Sequence, residues 1–230
     1  MNLVPARIPD ALLRRLWSLR RALGVSPTQR VFRELRRRGF ATERAVAVEV
    51  FAGTGFRHTI DYLRSVAALE AWELNPAREA ELRRNLPGAR IEITDSFEEI
   101  ARTPRRFGIV VVDNTITTFG RGYVEHLDLF PGLFRIAAPE SVLILNVCPR
   151  VPPGLRSDAR RLARRAEFYD TDRPEDVPIE RMVRTYERLM LENGFRPLWH
   201  FDRKRAYRAG IHYLVLAMTA SPAGAPTSAS

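Results

Sequence analysis

The chain has a single lysine, Lys204, although lysine and arginine together number 37 in 230 residues. Such a skew follows coding bias as readily as function, so the formal charge of +10 is weak evidence for a nucleic-acid partner. Cysteine is equally scarce. Cys148 excludes an internal disulfide and fits a reducing cytoplasm, and its place after an apolar run reads as a buried filler. No apolar run approaches the roughly 20 residues of a membrane helix, so no membrane partner is expected. The first ten residues hold no apolar signal core, so export is not expected and a cytoplasmic location is. No internal repeat is visible.

What is present suffices for one domain with additions: 45% of residues are hydrophobic and 12 are Phe, enough for a full core. Charge is unevenly spread. Residues 1–44 carry a balance of +8, residues 45–149 one of −3, and residues 150–230 one of +5. A slightly acidic centre lies between basic flanks.

The centre begins with the stretch from Ala45 to Gly55, an apolar β-branched run ending in a paired-glycine turn. It reads as a buried parallel strand opening onto a ligand cradle, with a helix expected over Phe56–Val66 whose first amides point back at the turn. Strand and helix signals then alternate. Strands are expected at Ala67–Leu74, Ala89–Ile93, Phe107–Asp113 and Ser141–Val147. Between them fall a helix capped by Asn75, a short one capped by Ser96, and one over Tyr123–Ile136 broken at Pro131. This alternation predicts a doubly wound, mostly parallel α/β sheet. Beyond Pro149 come a basic helix over Leu155–Phe168, a helix over Ile179–Asn193, and two strands, Phe195–Phe201 and Ile211–Met218, close enough to form an antiparallel hairpin. The tail Ala220–Ser230 is expected to be disordered. Ahead of the sheet, leucines at 12, 13, 16, 19 and 23 mark one helix, and Ser26-Pro27 opens a second with Arg33, Arg36, Arg37 and Arg38 facing outward. The division is therefore 1–44 as N-terminal helices, 45–219 as the α/β domain and 220–230 as tail.

The glycine turn discriminates between nucleotides. It lacks the Gly-Lys-Ser/Thr of a phosphate loop. It also lacks the third glycine of a dinucleotide site, where His58 stands instead, which argues against NAD or FAD. A nucleoside without phosphates remains.

At this point the chain resembles the class I S-adenosylmethionine-dependent methyltransferases, over roughly Ala45 to Val147. Glu49-Val50-Phe51-Ala52-Gly53-Thr54-Gly55 matches the family's first motif. Glu73, 18 positions after Gly55 and followed by Leu74, matches the acid that ends strand two. Asp95 with Ser96 and Phe97 matches the residues after strand three, and Asp113 the acid that ends strand four. The resemblance implies S-adenosylmethionine as cofactor, held by Glu49, the Phe51–Gly55 turn, Glu73 and Leu74 near the ribose, and Asp95, Ser96, Phe97 and Asp113. Glu49, set in an apolar strand, needs partners; the amides of the glycine turn or a ligand ammonium are expected.

The acceptor side departs from familiar subgroups. Asp113-Asn114-Thr115-Ile116 has neither the proline nor the aromatic that follow strand four in enzymes acting on base amino groups. Leu145-Asn146 lacks the second acid of metal-dependent catechol-type enzymes, so no metal is expected. The acceptor pocket is expected around Asn114, Thr115, Phe119, Tyr123, Asn146 and Arg150, with the glycine-flanked 119–122 loop as a cover. His126 is the expected catalytic base and Asp113 the alternative. The expected reaction is methyl transfer to oxygen or nitrogen of a small or medium metabolite. Its rivals are an RNA methyltransferase holding phosphates on the basic N-terminal helices, a catalytically silent member of the fold that binds cofactor or partner, and, disfavoured by His58, a nicotinamide oxidoreductase.

Overall fold

The computed structural model describes residues 10–56, 58–114, 118–205 and 210–222. Five strands run parallel: β1 (Val46–Glu49), β2 (Ala68–Glu73), β3 (Arg90–Ile93), β4 (Phe107–Val112) and β5 (Ala137–Val147). The expected hairpin closes the sheet as β6 (Phe195–Lys204) and β7 (His212–Ala220), with β7 antiparallel to β5. The order across the sheet is β3-β2-β1-β4-β5-β7-β6.

The pleat divides β4 between two cores, because successive side chains point to opposite faces. Val110 and Val112 pack with Trp72, Leu143 and Leu145 on one face. Ile109 and Val111 pack with Ala47, Val142 and Ile144 on the other. The first face is covered by α4 (Ser96–Arg102), α5 (Gly132–Arg135), α6 (Ala159–Tyr169) and α7 (Ile179–Glu192). The second is covered by α2 (Pro27–Arg37) and α3 (Glu79–Asn85). Ser26 caps α2 in a capping box with Gln29, and Pro27 occupies its first turn. Val31, Phe32 and Leu35 are buried on this face, which contributes about 5–9 kcal/mol and makes α2 part of the core. The preceding helix, α1 (Asp10–Ala22), joins neither core. It buries Trp17, while Leu12, Leu16, Leu19 and Leu23 face outward, so the leucine stripe does not mark the packed side.

Three expected helices differ. Phe56–Val66 forms two short 3-10 turns, Thr59–Asp61 and Leu63–Ser65, because its side chains are claimed by tertiary bonds. Buried Tyr62 reaches Glu49, and Asp61 accepts from Arg21 Nε at 2.5 Å. Tyr123–Ile136 is broken further than Pro131 alone would break it. Tyr123–Val124 pairs with Thr118–Phe119, Leu127–Leu129 is a 3-10 turn, and only α5 is helical. Glu125 takes a left-handed backbone there (φ 50°), which no helix accommodates. The basic helix starts at Ala159 rather than Leu155, capped by Asp158. The cap of α4 is Asp95, not Ser96. The expected tail falls mostly outside the described residues, although the Ser221 amide still donates to Gly194 O at 2.8 Å.

Candidate active site

Strand order reverses between β1 and β4, so their carboxyl ends part and leave a crevice, the usual ligand position in an open α/β sheet. A cleft of about 810 Å³ opens there. The chain enters it from β1 through a bend held by three amide bonds: Val50 N to Val111 O (3.1 Å), Ala52 N to Trp72 O (2.9 Å) and Gly55 N to Ala52 O (2.8 Å). Both glycines lie in the left-handed region, Gly53 at φ 59° and Gly55 at φ 70°. Their surroundings differ. A Cβ on Gly55 would lie 2.8 Å from Leu86 Cγ, so this glycine lets α3 close on the bend. The nearest atom to one on Gly53 would be Arg78 Nη1 at 3.8 Å, so that side is open to the cleft. The close helix packing that a dinucleotide fold assigns to its third glycine is thus supplied here by Gly55.

Carboxylates from successive strand ends meet around this bend. Buried Glu49 accepts from Tyr62 Oη (2.7 Å) and Thr59 Oγ1 (3.5 Å) at Oε2, and from the Asp113 amide (3.3 Å) at Oε1. Its partners are therefore not the amides of the glycine turn that the sequence suggests. Burial, reinforced by the Asp113 charge, pushes its carboxyl up to about 8. Glu73 accepts from the Asn75 amide at 2.9 Å and from Arg78 Nη1 at 3.4 Å. Asp95 caps α4 through the Phe97 amide at 2.9 Å while lining the cleft, so the helix-cap role and the site position coexist. Ser96 donates to Val50 O and ties α4 to the bend. Phe97 stacks on Tyr123 with ring centroids 3.6 Å apart, which gives this end an aromatic wall.

Asp113 anchors a ring of hydrogen bonds at the other end. Arg205 donates from Nη1 to Asp113 Oδ1 and from Nη2 to His58 Nε2, both at 2.5 Å. His58 Nε2 also lies 3.2 Å from Asp113 Oδ2, and the other ring nitrogen is Nδ1. That nitrogen faces Tyr213 Oη at 2.9 Å, and the Tyr213 hydroxyl donates on to Asp113 Oδ2 at 3.0 Å. Burial alone would raise the Asp113 carboxyl, but His58, Arg205 and Tyr213 together hold it below the usual carboxylate range. The Arg205 guanidinium lies 4.8 Å from the Tyr213 ring centroid and is itself raised above its ordinary value against the opposing effect of burial, chiefly by Asp113. His58 and Asp113 line the cleft; Arg205 and Tyr213 stand behind them.

Helix α1 roofs the site. Leu13, Arg14 and Trp17 line the cleft. The helix is held by Arg14 to Glu81 (2.6 Å), by Arg21 to Asp61 and to Phe56 O (2.7 Å), and by Trp17 edge-on to His58 with centroids 5.3 Å apart.

Every residue expected to hold the nucleoside, from Glu49 through Phe51, Ala52, Gly53, Thr54, Gly55, Glu73, Leu74, Asp95, Ser96 and Phe97 to Asp113, lines this cleft, as do Asn114 and Tyr123. Others do not. Asn146 is buried and donates to Asn114 O at 2.8 Å, beneath the surface of the site. Arg150 points away and pairs with Asp176 at 3.2 Å. Phe119 lies in the two-residue strand that returns to Tyr123, and Thr115 falls outside the described residues. His126, expected as the base, is fully buried among Phe130 and Tyr186, with Nε2 bonded to the Tyr186 hydroxyl. Burial, then the Arg165 charge, push it down to about 3, so it is a neutral core histidine away from the cleft. Sequence reasoning missed the α1 roof, Arg78, and the Arg205 and Tyr213 supports, whereas Gly120 and Arg121 of the expected 119–122 cover do line the cleft. The sole usable signal was a tryptophan, Trp17, off the leucine stripe.

No protein-family model matches the chain, and no curated protein matches it. Solved structures do. A Burkholderia thailandensis 1,6-didemethyltoxoflavin-N1-methyltransferase, bound to 1,6-didemethyltoxoflavin and S-adenosylhomocysteine, aligns at 16% identity with a TM-score of 0.52, covering 95% of this chain and 94% of that one. The fold is that of class I methyltransferases. A candidate RNA methyltransferase from Pyrococcus horikoshii aligns at 14% identity, TM-score 0.51, covering 85% and 83%. M. jannaschii TYW2 in complex with AdoMet aligns at 18%, TM-score 0.50, covering 83% and 75%. In this methyltransferase fold the crevice described above is the one beyond β1 and β4.

Proposed function

We propose that this protein is an S-adenosylmethionine-dependent methyltransferase acting on oxygen or nitrogen of a small or medium metabolite. The observation that carries the reading is the convergence of Glu49, Glu73, Asp95 and Asp113, from four different strand ends, on one cleft around the open face of Gly53. The fit is chemical. Glu73 can accept from vicinal hydroxyls, since carboxylates make the stronger charge-assisted bonds. Asp95 and the aromatic wall suit a purine, and Glu49, held uncharged by burial in the unliganded fold, would ionise against a cationic tail. The volume lies within the range that holds one small ligand with its partner. When bound, the cofactor supplies an electrophilic methyl group. The protein's own part is to orient the acceptor at Asp113 and His58 and to exclude water with α1 and Tyr123. The B. thailandensis neighbour carries a small-molecule acceptor, which supports this acceptor class.

An RNA acceptor is the second reading, favoured by the +8 balance of residues 1–44. Against it, the roofed cleft suits a small molecule, and most arginines of α1 and α2 are engaged within the protein.

Native mass spectrometry of the purified chain, followed by calorimetry with S-adenosylmethionine and S-adenosylhomocysteine, tests the proposal. A retained or titratable nucleoside is expected. Glu73→Ala should weaken its binding by about 1–3 kcal/mol. Absence of binding at millimolar ligand, or unchanged affinity in the variant, overturns the cofactor or the ribose assignment respectively. Binding without turnover on a panel of hydroxyl and amine acceptors would mark a silent member of the fold.

A further inference from the structure

Helix α1 has two faces, and the cleft uses one of them. Trp17, Arg14 and Arg21 face inward, which fixes the rotation of the helix. Leu12, Leu16, Leu19 and Leu23 face the other way and are 49%, 45%, 57% and 66% exposed. At 100° per residue they fall within roughly 60° of one another. The Leu23 amide still donates to Leu19 O at 3.0 Å, so the row continues past the end of α1. No described residue covers it. A monomer rarely leaves such a row bare, and the spacing says what fits it. Steps of four, three and four residues are those of a heptad seam, which pairs with another helix of the same period.

The seam is also its own mirror. Read from either end it has the same spacing, so in an antiparallel pair Leu12 meets Leu23 and Leu16 meets Leu19. That is the self-complementarity a twofold interface requires. Charge selects the same arrangement. Arg15 and Arg20 flank the row and have no side-chain bond among the described residues. A parallel pair would set Arg15 against Arg20. An antiparallel pair sets Arg15 beside Ala22 and Arg20 beside Leu13, with no like charges opposed. We propose that α1 is a dimerisation helix, its outward leucine seam pairing antiparallel with that of a second copy of this chain. The seam spans about 17 Å and is smaller than a standard stable interface of roughly 1,200–2,000 Å², so the dimer is reversible and forms in the micromolar range. This inference rests on α1 alone and not on the proposed reaction.

Sedimentation velocity of the full chain across the micromolar range tests it. The expected result is a monomer–dimer equilibrium that L16E/L19E abolishes, with far-UV circular dichroism unchanged. Should that variant fail to fold, Leu23→Glu, at the most exposed position, should weaken the dimer at least tenfold. A22E should tighten it several-fold at low salt, because an acid there faces Arg15 of the second copy. A wild-type chain that stays monomeric overturns the proposal, whether the seam is then covered by residues 1–9, a foreign helix or a lipid surface. So does a dimer indifferent to L16E/L19E, and one that A22E leaves unchanged or weakens overturns the antiparallel pairing.

Discussion

Glu49 combines features that rarely meet in one side chain. It sits in an apolar strand, it touches the cleft, and its hydrogen bonds come from neutral donors. Those donors satisfy the carboxyl in either protonation state but do not supply a cation, so burial decides the outcome and the group stays protonated until about pH 8. The consequence for stability has a definite sign. In the unfolded chain the carboxyl ionises around its ordinary 4.5; in the folded chain it does so only near 8. Its contribution to stability is thus full below 4.5 and is lost progressively as pH rises to about 8. Glu49→Gln removes that loss. Thermal melts of the variant and the wild type should therefore diverge in the variant's favour between pH 4.5 and 8, and run parallel outside that window. A difference that is flat with pH would mean that Glu49 is already ionised in the fold. Asp113, about one strand away, shows the contrast: a guanidinium and a hydroxyl reach it, and it stays charged.

The bend after β1 shows how far an element can be read from its residues. Two glycines two positions apart looked alike in the sequence, and both do adopt positive φ. They differ in what surrounds them, and that difference is tertiary. Gly55→Ala should suffer the left-handed penalty of about 1–2 kcal/mol and also overpack Leu82 and Leu86, which adds about 1–3 kcal/mol. Gly53→Ala should show the first penalty alone, but should lose most nucleoside affinity, since its Cβ projects into the cleft. Urea titration for stability and calorimetry for binding separate the two; equal destabilisation would show that Gly55 is not the packing glycine. The same distinction explains where the sequence was legible. Strands β1, β4 and β5 were readable from their apolar, β-branched runs, and β2 and β3 from their places in the alternation, β2 ahead of Asn75-Pro76 and β3 behind Pro87-Gly88. The carboxylates at their ends were readable because each sits at a strand terminus. The stretch from Phe56 to Val66 reads as a helix from its place after the glycine turn, yet Asp61 and Tyr62 bond to partners 40 and 13 residues away, and those bonds set its shape. His126 had a suitable side chain in a suitable region, and nothing in the sequence foretold that Tyr186, 60 residues on, would bury it. The α1 roof was invisible for a related reason. Apolar periodicity marks the leucine row, while the packed side is defined by one tryptophan and two ion pairs.

At the scale of the whole molecule the open matter is how much of the +10 charge is available to an outside partner. Within the N-terminal helices the answer can be counted. Arg14 and Arg21 pair with Glu81 and Asp61, and Arg37 and Arg38 both pair with Glu34. Arg33 donates to Gly24 O and Arg36 reaches Thr42 Oγ1, while Arg38 also lies over Trp199 and Phe201. Arg15, Arg20, Arg30 and Arg44 remain without side-chain bonds among the described residues. Four phosphate contacts on a single strand would give a slope of about −3 in log affinity against log salt concentration. Fluorescence polarisation with a single-stranded RNA should therefore show a slope no steeper than that, with binding no tighter than micromolar at physiological salt. A slope near twice that value, together with tighter binding, would require a longer basic track than these helices leave free. It would move the acceptor from a metabolite to RNA without disturbing the cofactor end of the cleft, because Glu73 and Asp95 lie on strand ends that no such track needs to touch.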